Sequence, residues 1–367
     1  MLKVVSIGIL AWNEEASIGA TLDSLFGQSL FDEIGRQVQV VCVPNACTDD
    51  TVGAISRAYE RAALRLPSVR MEIQSLERPG KANAWNEYVH RFADPAAEVM
   101  ILADADILFH GRDTLRNMVD LLETEPSVVV ATDQPIKHVA LKTHKSCFDR
   151  ISLAISRMTG EAPGQLTGQL YAARASFLRR LVIPEGILVE DGFLKQMVVT
   201  DCFTQPADAS RIRRAPGAAH VFESYTRIGD ILPNQRRQAV GHTIYTYLRD
   251  ELQRRRGEGS GDAVIRRLSA EDPGWFLNVI DRRVSSDNWW VMHEGCLTAR
   301  LRRWARGGRR WALLPAALVG TAMDLVVHLW ANDTLKNKRL KGIWKDTKSQ
   351  SLVPAALGHQ EISGKSR

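Results

Sequence analysis

The order of apolar patterns in the first third of the chain limits its fold more than any other feature. Residues 4–10 form a continuous apolar run, which is typical of a strand buried on both faces. A helical pattern follows, with Ile18, Leu22 and Leu25 on one face. Further strands are expected at 39–43, 70–76, 98–103 and 128–132, and helices at 51–64, 82–92 and 112–123. This alternation predicts an α/β fold with a mostly parallel central sheet flanked by helices.

The second half of the chain has a less regular pattern. We expect strands at 183–189 and 211–221 with a helix at 193–199 between them, and then a long helical stretch at 226–256. A charged, Gly-rich break at 257–262 precedes a helical region rich in Trp and Arg. The chain therefore divides into a sheet domain at 1–240, a helical C-terminal region at 241–350 and a flexible tail at 351–367.

The most apolar long segment, residues 313–331, allows three interpretations. Its length approaches that of a membrane span, but Asp324 and His328 lie within it, and ionisable groups are costly in a bilayer. The segment is a helix packed on the core, a helix lying on a membrane surface, or a true span. We favour the first interpretation.

Composition excludes several classes of protein and locates the positive charge. Apolar residues make up 45% and charged residues 25% of the chain, which excludes collagen-like, disulfide-scaffold and wholly disordered proteins. The net charge of +6 is mild, and it is concentrated in two C-terminal stretches, 300–310 and 336–348. No nucleic-acid-binding motif is present, so no nucleic-acid partner is expected. Trp304 and Trp311 lie among these arginines, as at an anionic membrane surface; alternatively, the tail packs on the sheet domain and its arginines are solvated.

Cysteine usage and the N-terminus both favour a cytoplasmic location. The chain has five cysteines, an odd number, and no C-x-x-C motif, so reduced thiols are the simplest interpretation. Residues 1–3 lead directly into the first predicted strand, without the pattern of a signal peptide. We therefore expect a cytoplasmic protein, peripheral at the inner membrane surface if its C-terminal region docks there.

Chemistry is expected beyond the carboxyl ends of the parallel strands, where open α/β sheets bind ligands. Asp104 and Asp106 follow the predicted strand 98–103 directly. Two carboxylates at a strand end suit Mg²⁺ or Mn²⁺, which prefers oxygen ligands and bridges carboxylates to substrate phosphates. The alternative is a solvated turn with two incidental acids.

Four other polar segments close predicted strands, and each also has a purely structural explanation. Asn13 and Glu14 follow the first strand, and Asn45 follows the second. Lys81 follows Gly80 at the start of a predicted helix, where an ammonium group and free N–H groups suit a diphosphate. Glu190 and Asp191 precede the predicted helix 193–199, where a carboxylate could accept a proton from a hydroxyl. Helix capping accounts for much of this pattern as well.

Together these segments resemble the inverting family 2 glycosyltransferases of the GT-A fold. The resemblance rests on ordered blocks within residues 1–240: AWNEEASIGATLDSL, VPNACTDDT, GKANAWN, ADADILF, and TGQLYAAR followed by VEDGFL. It implies a nucleotide-diphosphate-sugar donor, with a UDP-sugar favoured, and Mg²⁺ or Mn²⁺ as the cofactor. A small molecule, a glycan or a lipid-linked molecule would be the acceptor.

The resemblance also implies roles for individual residues. Asp191 matches the catalytic base, with Glu190 beside it. Asp106 matches the more direct metal ligand, and Asp104 completes the pair nearer the ribose or sugar. The positions that match donor binding are Asn13, Glu14, Asn45 and Lys81, with Gly168 and Gln169 under the donor sugar and acceptor.

The sequence departs from the family pattern at two places. Many members carry an Asp at the position of Pro44 or Asn45 that reads the base, so uracil recognition is less secure here. Polysaccharide synthases carry Q-x-x-R-W, but residues 234–239 lack the Trp, which favours a single transfer. Arg237 either contacts the diphosphate or belongs to a solvated basic face.

Two rival functions share this type of sheet. A nucleotidyltransferase that makes a nucleotide-sugar would usually carry a Gly-rich basic loop after its first strand, which AWNEEASIG does not supply. A non-catalytic sugar-binding protein would tolerate the loss of Asp104, Asp106 or Asp191, yet all three are present.

Overall fold

A single mixed sheet organises the part of the chain that the computed structural model describes, residues 3–145, 164–224, 228–306 and 314–337. Its eight strands are ordered β3-β2-β1-β4-β7-β6-β8-β5. They are β1 Val4–Ala11, β2 Gln37–Pro44, β3 Arg70–Ile73, β4 Val99–Asp104, β5 Ile107–His110, β6 Val130–Lys137, β7 Leu170–Arg174 and β8 Ile212–Phe222.

The strand directions bring distant parts of the sequence to one edge of the sheet. β1 is parallel to β2 and β4, β2 to β3, and β6 to β8. β7 is antiparallel to β4 and β6, and β5 is antiparallel to β8. Because Ala103 pairs with Leu170, the beginning of β7 lies at the same edge as the end of β4. The segment before Leu170 therefore joins the carboxyl ends of β1, β2 and β4.

Helices cover both faces of this sheet. They are α1 Ile18–Leu25, α2 Thr51–Ala63, α3 Lys81–Glu87, α4 Thr114–Thr124, α5 Ala175–Leu178, α6 Glu190–Val199, α7 Ile228–Arg254, α8 Gly261–Glu271, α9 Trp275–Val284, α10 Ala299–Arg306 and α11 Leu314–Lys336. A π turn, Tyr88–Phe92, extends α3. Short 3₁₀ turns lie at Ser29–Asp32, His138–Ala140, Ala209–Arg211, Arg256–Glu258 and Cys296–Thr298.

The core consists of one hydrophobic cluster on each face of the sheet. Side chains alternate between the faces along a strand, so Ile101 joins the cluster of α1, α2 and α4, and Leu102 joins the other. Burial on both faces explains why the central strands are continuous apolar runs. The second cluster also takes in α6 to α9 and α11, through residues such as Phe193, Ile244 and Ala331. The C-terminal helices thus pack on the same core as the sheet.

Most of the expected elements are confirmed, and one is wrong. Residues 183–189 form no strand: Pro184 lacks an N–H group, and Gly186 has a φ of 95°. The side chain of Asn86 takes the place of a neighbouring strand, because it donates to the carbonyl of Ile183 and accepts from its N–H, both at 2.9 Å. The segment is apolar because Ile183, Ile187 and Val189 are buried, not because it belongs to the sheet.

The apolar segment at 313–331 falls largely within α11, which packs Val327, Ala331 and Leu335 into the core. In the described ranges, no helix has the length and apolar character needed to cross a bilayer. The outward side of α11 is also apolar, with Leu325, Val326 and Leu329 exposed. The predicted tail at 351–367 lies outside the described residues.

Candidate active site

Several of the candidate site residues gather at the carboxyl edge of β1, β2 and β4. Leu10 pairs with Asp104 and Ala11 pairs with Pro44, so these three strands end side by side. The polar segments that follow them therefore share one edge of the sheet.

The loops after β1 and β2 are bonded to each other. Oδ1 of Asn13 accepts a hydrogen bond from the backbone N–H of Thr48 at 2.7 Å, and the N–H of Glu14 donates to Oγ1 of Thr51 at 2.9 Å. Asn13 has a φ of 55°, which Asn tolerates better than most residues. Asn13 does not cap α1, because Ser17 is the N-cap residue. Asn13 and Glu14 thus fix the shape of the two loops at this edge.

The side-chain oxygen of Asn45, Oδ1, is buried without a hydrogen-bond partner in the described part of the chain. The residue is almost fully buried, with 4% exposed, and its N–H donates to the carbonyl of Ala11 at 2.9 Å. An unpaired buried oxygen is costly, so Oδ1 is suited to a donor group on a ligand.

Lys81 joins two carboxylates from distant parts of the chain. Gly80, with a φ of 128°, makes the turn that places Lys81 at the first position of α3. Nζ of Lys81 lies 2.6 Å from Oδ1 of Asp104 and 2.7 Å from Oε1 of Glu190. Burial lowers the pKa of Lys81, but the two carboxylates outweigh this effect and leave that pKa raised. Lys81 therefore remains a cation.

Asp104 ends β4 and Asp106 follows it, in an environment that disfavours two negative charges. Burial raises the pKa of Asp104 to about 6; Lys81 opposes this effect, and the charge of Asp106 adds to it. Two carboxylates that repel each other are suited to a divalent cation. In the described ranges no group of three or more His, Cys, Asp and Glu side chains could hold a metal ion. A pair is sufficient for Mg²⁺, which takes its other ligands from water and phosphate.

Glu190 and Asp191 open α6 beside the segment that precedes β7. A Cβ atom placed on Gly168 would lie 3.0 Å from Oε1 of Glu190 and 3.5 Å from Cβ of Asp191, so the backbone of residue 168 closely approaches both acids. Asp191 does not cap α6, whose N-cap residue is Val189. Oδ1 of Asp191 instead accepts a hydrogen bond from the N–H of Gly192 at 2.7 Å.

Asp191 holds its proton more tightly than an exposed carboxyl group does. Burial raises its pKa, and the charge of Glu190 raises it further. The Gly192 N–H, Lys81 and His242 of α7 act in the opposite direction without cancelling these effects. A carboxylate with a raised pKa is a stronger base once it is ionised.

Gln169 links the segment before β7 to Asp104. Its carbonyl accepts a hydrogen bond from the N–H of Asp104 at 2.9 Å, and its Oε1 lies 3.3 Å from Nε2 of His220. Arg237, the remaining predicted contact, is half-buried on α7, where Nη2 donates to Oδ1 of Asn234 at 3.4 Å.

The sequence analysis missed four residues of this region. Trp85 and Tyr171 line a small pocket together with Lys81, Asp104 and Glu190. Nε1 of Trp85 donates to the hydroxyl of Tyr171 at 2.7 Å. Asp133 and His220 form a buried pair behind Gln169. The only signal for Asp133 was its position just after a predicted strand, and His220 was a single polar residue in an apolar run.

Comparison with known proteins agrees with this geometry. Residues 6–183 match the family described as glycosyl transferase family 2. The mannosyltransferase PcManGT from Pyrobaculum calidifontis, solved in complex with GDP-Man and Mn²⁺, is 21% identical; the match covers 92% of this chain and 88% of that chain, with a TM-score of 0.53. Glucosyl-3-phosphoglycerate synthase from Mycobacterium tuberculosis, solved with Mg²⁺ and UDP, is 20% identical over 63% of this chain and 74% of that chain, with a TM-score of 0.41. No curated protein matches the chain.

The sheet, its acidic edge and the PcManGT likeness define a GT-A fold. The match to glycosyltransferase family 2 spans just under half of the chain, and it covers β1 to β7 and the segments that supply Lys81, Asp104 and Gly168. As an enzyme it is a glycosyltransferase. The fold class and the family suggested by the sequence are therefore confirmed.

Proposed function

We propose that the protein transfers one sugar from a nucleotide-diphosphate sugar to an acceptor hydroxyl group, with inversion at the anomeric carbon. The observation that carries this proposal is the convergence of Asp104 and Glu190 on Nζ of Lys81. This contact brings Asp104, at the strand end that suits a metal, close to Glu190, which precedes Asp191 in the chain. A donor bound beside Asp104 would therefore face Asp191 as the base.

Asp191 is the general base of this reaction. Its carboxylate removes the proton from the acceptor hydroxyl as the oxygen attacks the anomeric carbon, on the face opposite the departing diphosphate. The raised pKa of Asp191 suits this task, because the base binds the proton more firmly than an exposed carboxylate would. Glu190 stays paired with Lys81 and contributes the negative charge that helps to raise that pKa. The logic parallels that of inverting glycosidases, with a hydroxyl group in place of water.

The donor side combines Lys81 with Asp104 and Asp106. The fixed ammonium group of Lys81 faces the charge that develops on the leaving diphosphate. Mg²⁺ or Mn²⁺, held by Asp106 and Asp104, supplies further positive charge at the diphosphate when bound. Gly168 lacks a side chain, which lets the backbone before β7 approach Glu190 and Asp191 closely.

Asn45 is the base-reading residue in this proposal. Its buried, unpaired Oδ1 can accept a hydrogen bond from a ring N–H of uracil, which is consistent with a UDP-sugar as the favoured donor. Guanine also carries a ring N–H, so the same atom can accept from a GDP-sugar. Asn13 and Glu14 support this part of the site by holding the adjoining loops together. Arg237 is proposed as a diphosphate contact from α7.

A donor screen tests the function directly. The full chain is incubated with Mn²⁺ and UDP-, GDP- or dTDP-sugars, and release of the nucleoside diphosphate is measured with and without candidate acceptors. We expect one nucleotide to support release and an acceptor to increase it. Nucleotide-sugar synthesis from a nucleoside triphosphate and a sugar phosphate would instead show a nucleotidyltransferase. Binding without any release would show a non-catalytic sugar-binding protein.

A second proposal concerns the outward side of α11. Six large apolar side chains there are each at least 40% exposed: Leu318, Met323, Leu325, Val326, Leu329 and Trp330. The Arg-rich α10 adjoins this face, and Nε of Arg300 lies 2.6 Å from Oδ2 of Asp324. Apolar area beside positive charge suits an anionic membrane surface. We propose that residues 241–337 dock a cytoplasmic enzyme at the inner leaflet, where it would meet a lipid-linked acceptor.

Vesicle flotation tests the docking proposal. The wild type should float with vesicles of phosphatidylglycerol and phosphatidylcholine at low salt, and not with phosphatidylcholine alone. Val326→Asp combined with Leu329→Asp should abolish flotation. Ile34→Asp is the matched control, because Ile34 is 98% exposed and lies outside the α11 face. Failure of the wild type to float at low salt rejects docking and leaves the glycosyltransferase proposal intact.

A further inference from the structure

We propose that the buried Asp133–His220 pair positions the side chain of Gln169 in the site, so that Gln169 contacts the oxygens of the transferred sugar or acceptor. This inference rests on the proposed glycosyl transfer. It gives a function to two buried polar residues that the reaction does not otherwise use.

A break in the pairing of β6 and β8 creates the pair. Thr132 pairs with Arg214 and Gln134 with Ala219, so the register shifts at Asp133 while β8 accommodates extra residues. Gly217, with a φ of 75°, lies in that extra stretch. Bulges of this kind redirect a side chain and occur often beside active sites. Beyond the bulge, His220 lies opposite Pro135 on β6 and Phe109 on β5.

The contacts form a chain that leads into the site. Oδ2 of Asp133 lies 2.6 Å from Nδ1 of His220, and both side chains are fully buried. Nε2 of His220 lies 3.3 Å from Oε1 of Gln169. Gln169 itself is only half-buried, so it is the one of these three side chains that a ligand can reach. The carbonyl of Gln169 also accepts the N–H of Asp104 at 2.9 Å, which fixes its backbone beside the acidic pair.

The donor and acceptor capacity of each atom sets the direction of these hydrogen bonds. The second oxygen of Asp133, Oδ1, is buried with no hydrogen-bond partner in the described ranges, so His220 is the one hydrogen-bonding neighbour of Asp133 there. An amide oxygen can only accept a hydrogen bond, so Nε2 of His220 is the donor to Oε1 of Gln169 in this geometry. Nδ1 of His220 and Oδ2 of Asp133 share one proton in their own hydrogen bond. The amide NH₂ group of Gln169 is left to point away from His220, as a donor to sugar oxygens.

Asp133 and His220 are thus positioning residues that act through Gln169. A misplaced contact of about 1 Å can cost a rate factor of about 100, so we expect His220→Asn to lower kcat by about 10- to 100-fold. The KM for the donor should change by less than about threefold, because the nucleotide contacts lie elsewhere. Gln169→Ala should show a similar split between kcat and KM.

A double-mutant cycle tests whether His220 acts through Gln169. In the full chain, His220→Asn should lower kcat in the wild-type background but add little in a Gln169→Ala background. His138→Asn is the matched control, because His138 is another buried histidine, whose Nδ1 accepts from the N–H of Ser224. Its effect should add to that of Gln169→Ala. Additive effects of His220→Asn and Gln169→Ala would overturn the proposal.

Two further measurements separate this inference from the proposed function. ¹⁵N-histidine NMR, with the His220 signals assigned from Asp133→Asn and His220→Asn, needs no activity. The His220 Nε2 signal should move in Gln169→Ala, and an unchanged signal would reject the contact even if transfer is confirmed.

Calorimetry should give the same Mn²⁺ affinity, within about threefold, for the wild type and His220→Asn. A 10-fold weaker affinity would assign His220 to the metal and overturn its positioning role. If the wild type shows no transfer but the NMR contact holds, the proposed function fails and the pairing stands.

Discussion

Nζ of Lys81 lies 2.7 Å from Oε1 of Glu190, and this ion pair joins the start of α3 to the start of α6. The same nitrogen lies 2.6 Å from Oδ1 of Asp104 at the end of β4. One ammonium group therefore ties the donor side of the site to the segment that carries the proposed base. This arrangement predicts that Lys81 contributes to both stability and glycosyl transfer.

Replacing Lys81 should reduce both properties. Lys81→Met leaves Asp104 and Glu190 without their shared cation, so we expect a loss of about 2 kcal/mol in the free energy of unfolding. Glycosyl transfer should fall by at least about 100-fold, because the leaving diphosphate loses a fixed charge. Urea denaturation and a transfer assay measure the two effects. Lys81→Arg keeps the charge and should lose less on both; equal losses would contradict the role of the charge.

Replacing Asp191 tests the assignment of the base. Asp191→Asn retains an oxygen for the N–H of Gly192 but cannot take up a proton from the acceptor. We expect kcat to fall by about 100-fold or more while donor affinity changes little. Transfer assays and calorimetry with the donor nucleotide measure these quantities. Near-normal turnover in this variant would remove Asp191 from the mechanism.

Replacing Asp106 should separate metal-dependent from metal-independent donor binding. In the wild type, calorimetry should show tighter binding of the donor nucleotide with Mn²⁺ than without it. Asp106→Ala should reduce the affinity in Mn²⁺ to nearly the metal-free value, because the metal would lose its more direct carboxylate ligand. Asp23→Ala is the control: Asp23 is exposed and pairs with Arg61. A full Mn²⁺ effect in Asp106→Ala would exclude Asp106 as the ligand.

Periodicity predicted the strands that are buried on both faces, because these are long apolar runs. β5 and β7 have only four and five residues, and β7 contains two alanines, which have weak strand propensity, so neither stood out. The expected strand at 183–189 was wrong for a related reason. An apolar run shows that a segment is buried, but it cannot show that the side chain of Asn86 serves as its hydrogen-bonding partner.

The position of polar residues at strand ends predicted where the candidate residues Asp104 and Lys81 lie. It placed Glu190 at the end of a strand at 183–189 that does not form. It could not predict that Lys81 bridges the two acids, since that depends on how closely α3 and α6 approach. The Asp133–His220 pair was beyond sequence reasoning, because it depends on a shift in register between β6 and β8. Local patterns give the edge of the sheet on which a residue lies, whereas the pairing of side chains across that edge depends on tertiary packing.

The pH dependence of transfer should follow the titration of Asp191. Burial, with the charge of Glu190, raises the pKa of Asp191, so the proton that blocks the base persists to a higher pH than on an exposed carboxyl group. kcat/KM should therefore rise with pH through this raised pKa. His242 lowers that pKa, so His242→Ala should move the acidic limb of the pH–rate profile to higher pH. His110→Ala, another exposed histidine, should leave the limb in place; an equal shift in both variants would rule out a specific effect of His242.

The contact of α7 with the segment before α6 should be intolerant of added volume. A Cβ atom on Gly241 would lie 2.1 Å from Cγ2 of Val189, the residue before Glu190. Gly241→Ala should therefore destabilise the fold by about 1–3 kcal/mol and, by displacing the start of α6, lower kcat. Gly229→Ala is the matched control on the same helix, because among the described residues outside its own helical turns no atom lies within 4 Å of the added Cβ. It should be neutral or stabilise by up to about 1 kcal/mol through helix propensity. Urea denaturation and transfer assays on both variants check this prediction, and similar results for the two would show that the α7 contact does not hold Asp191 in place.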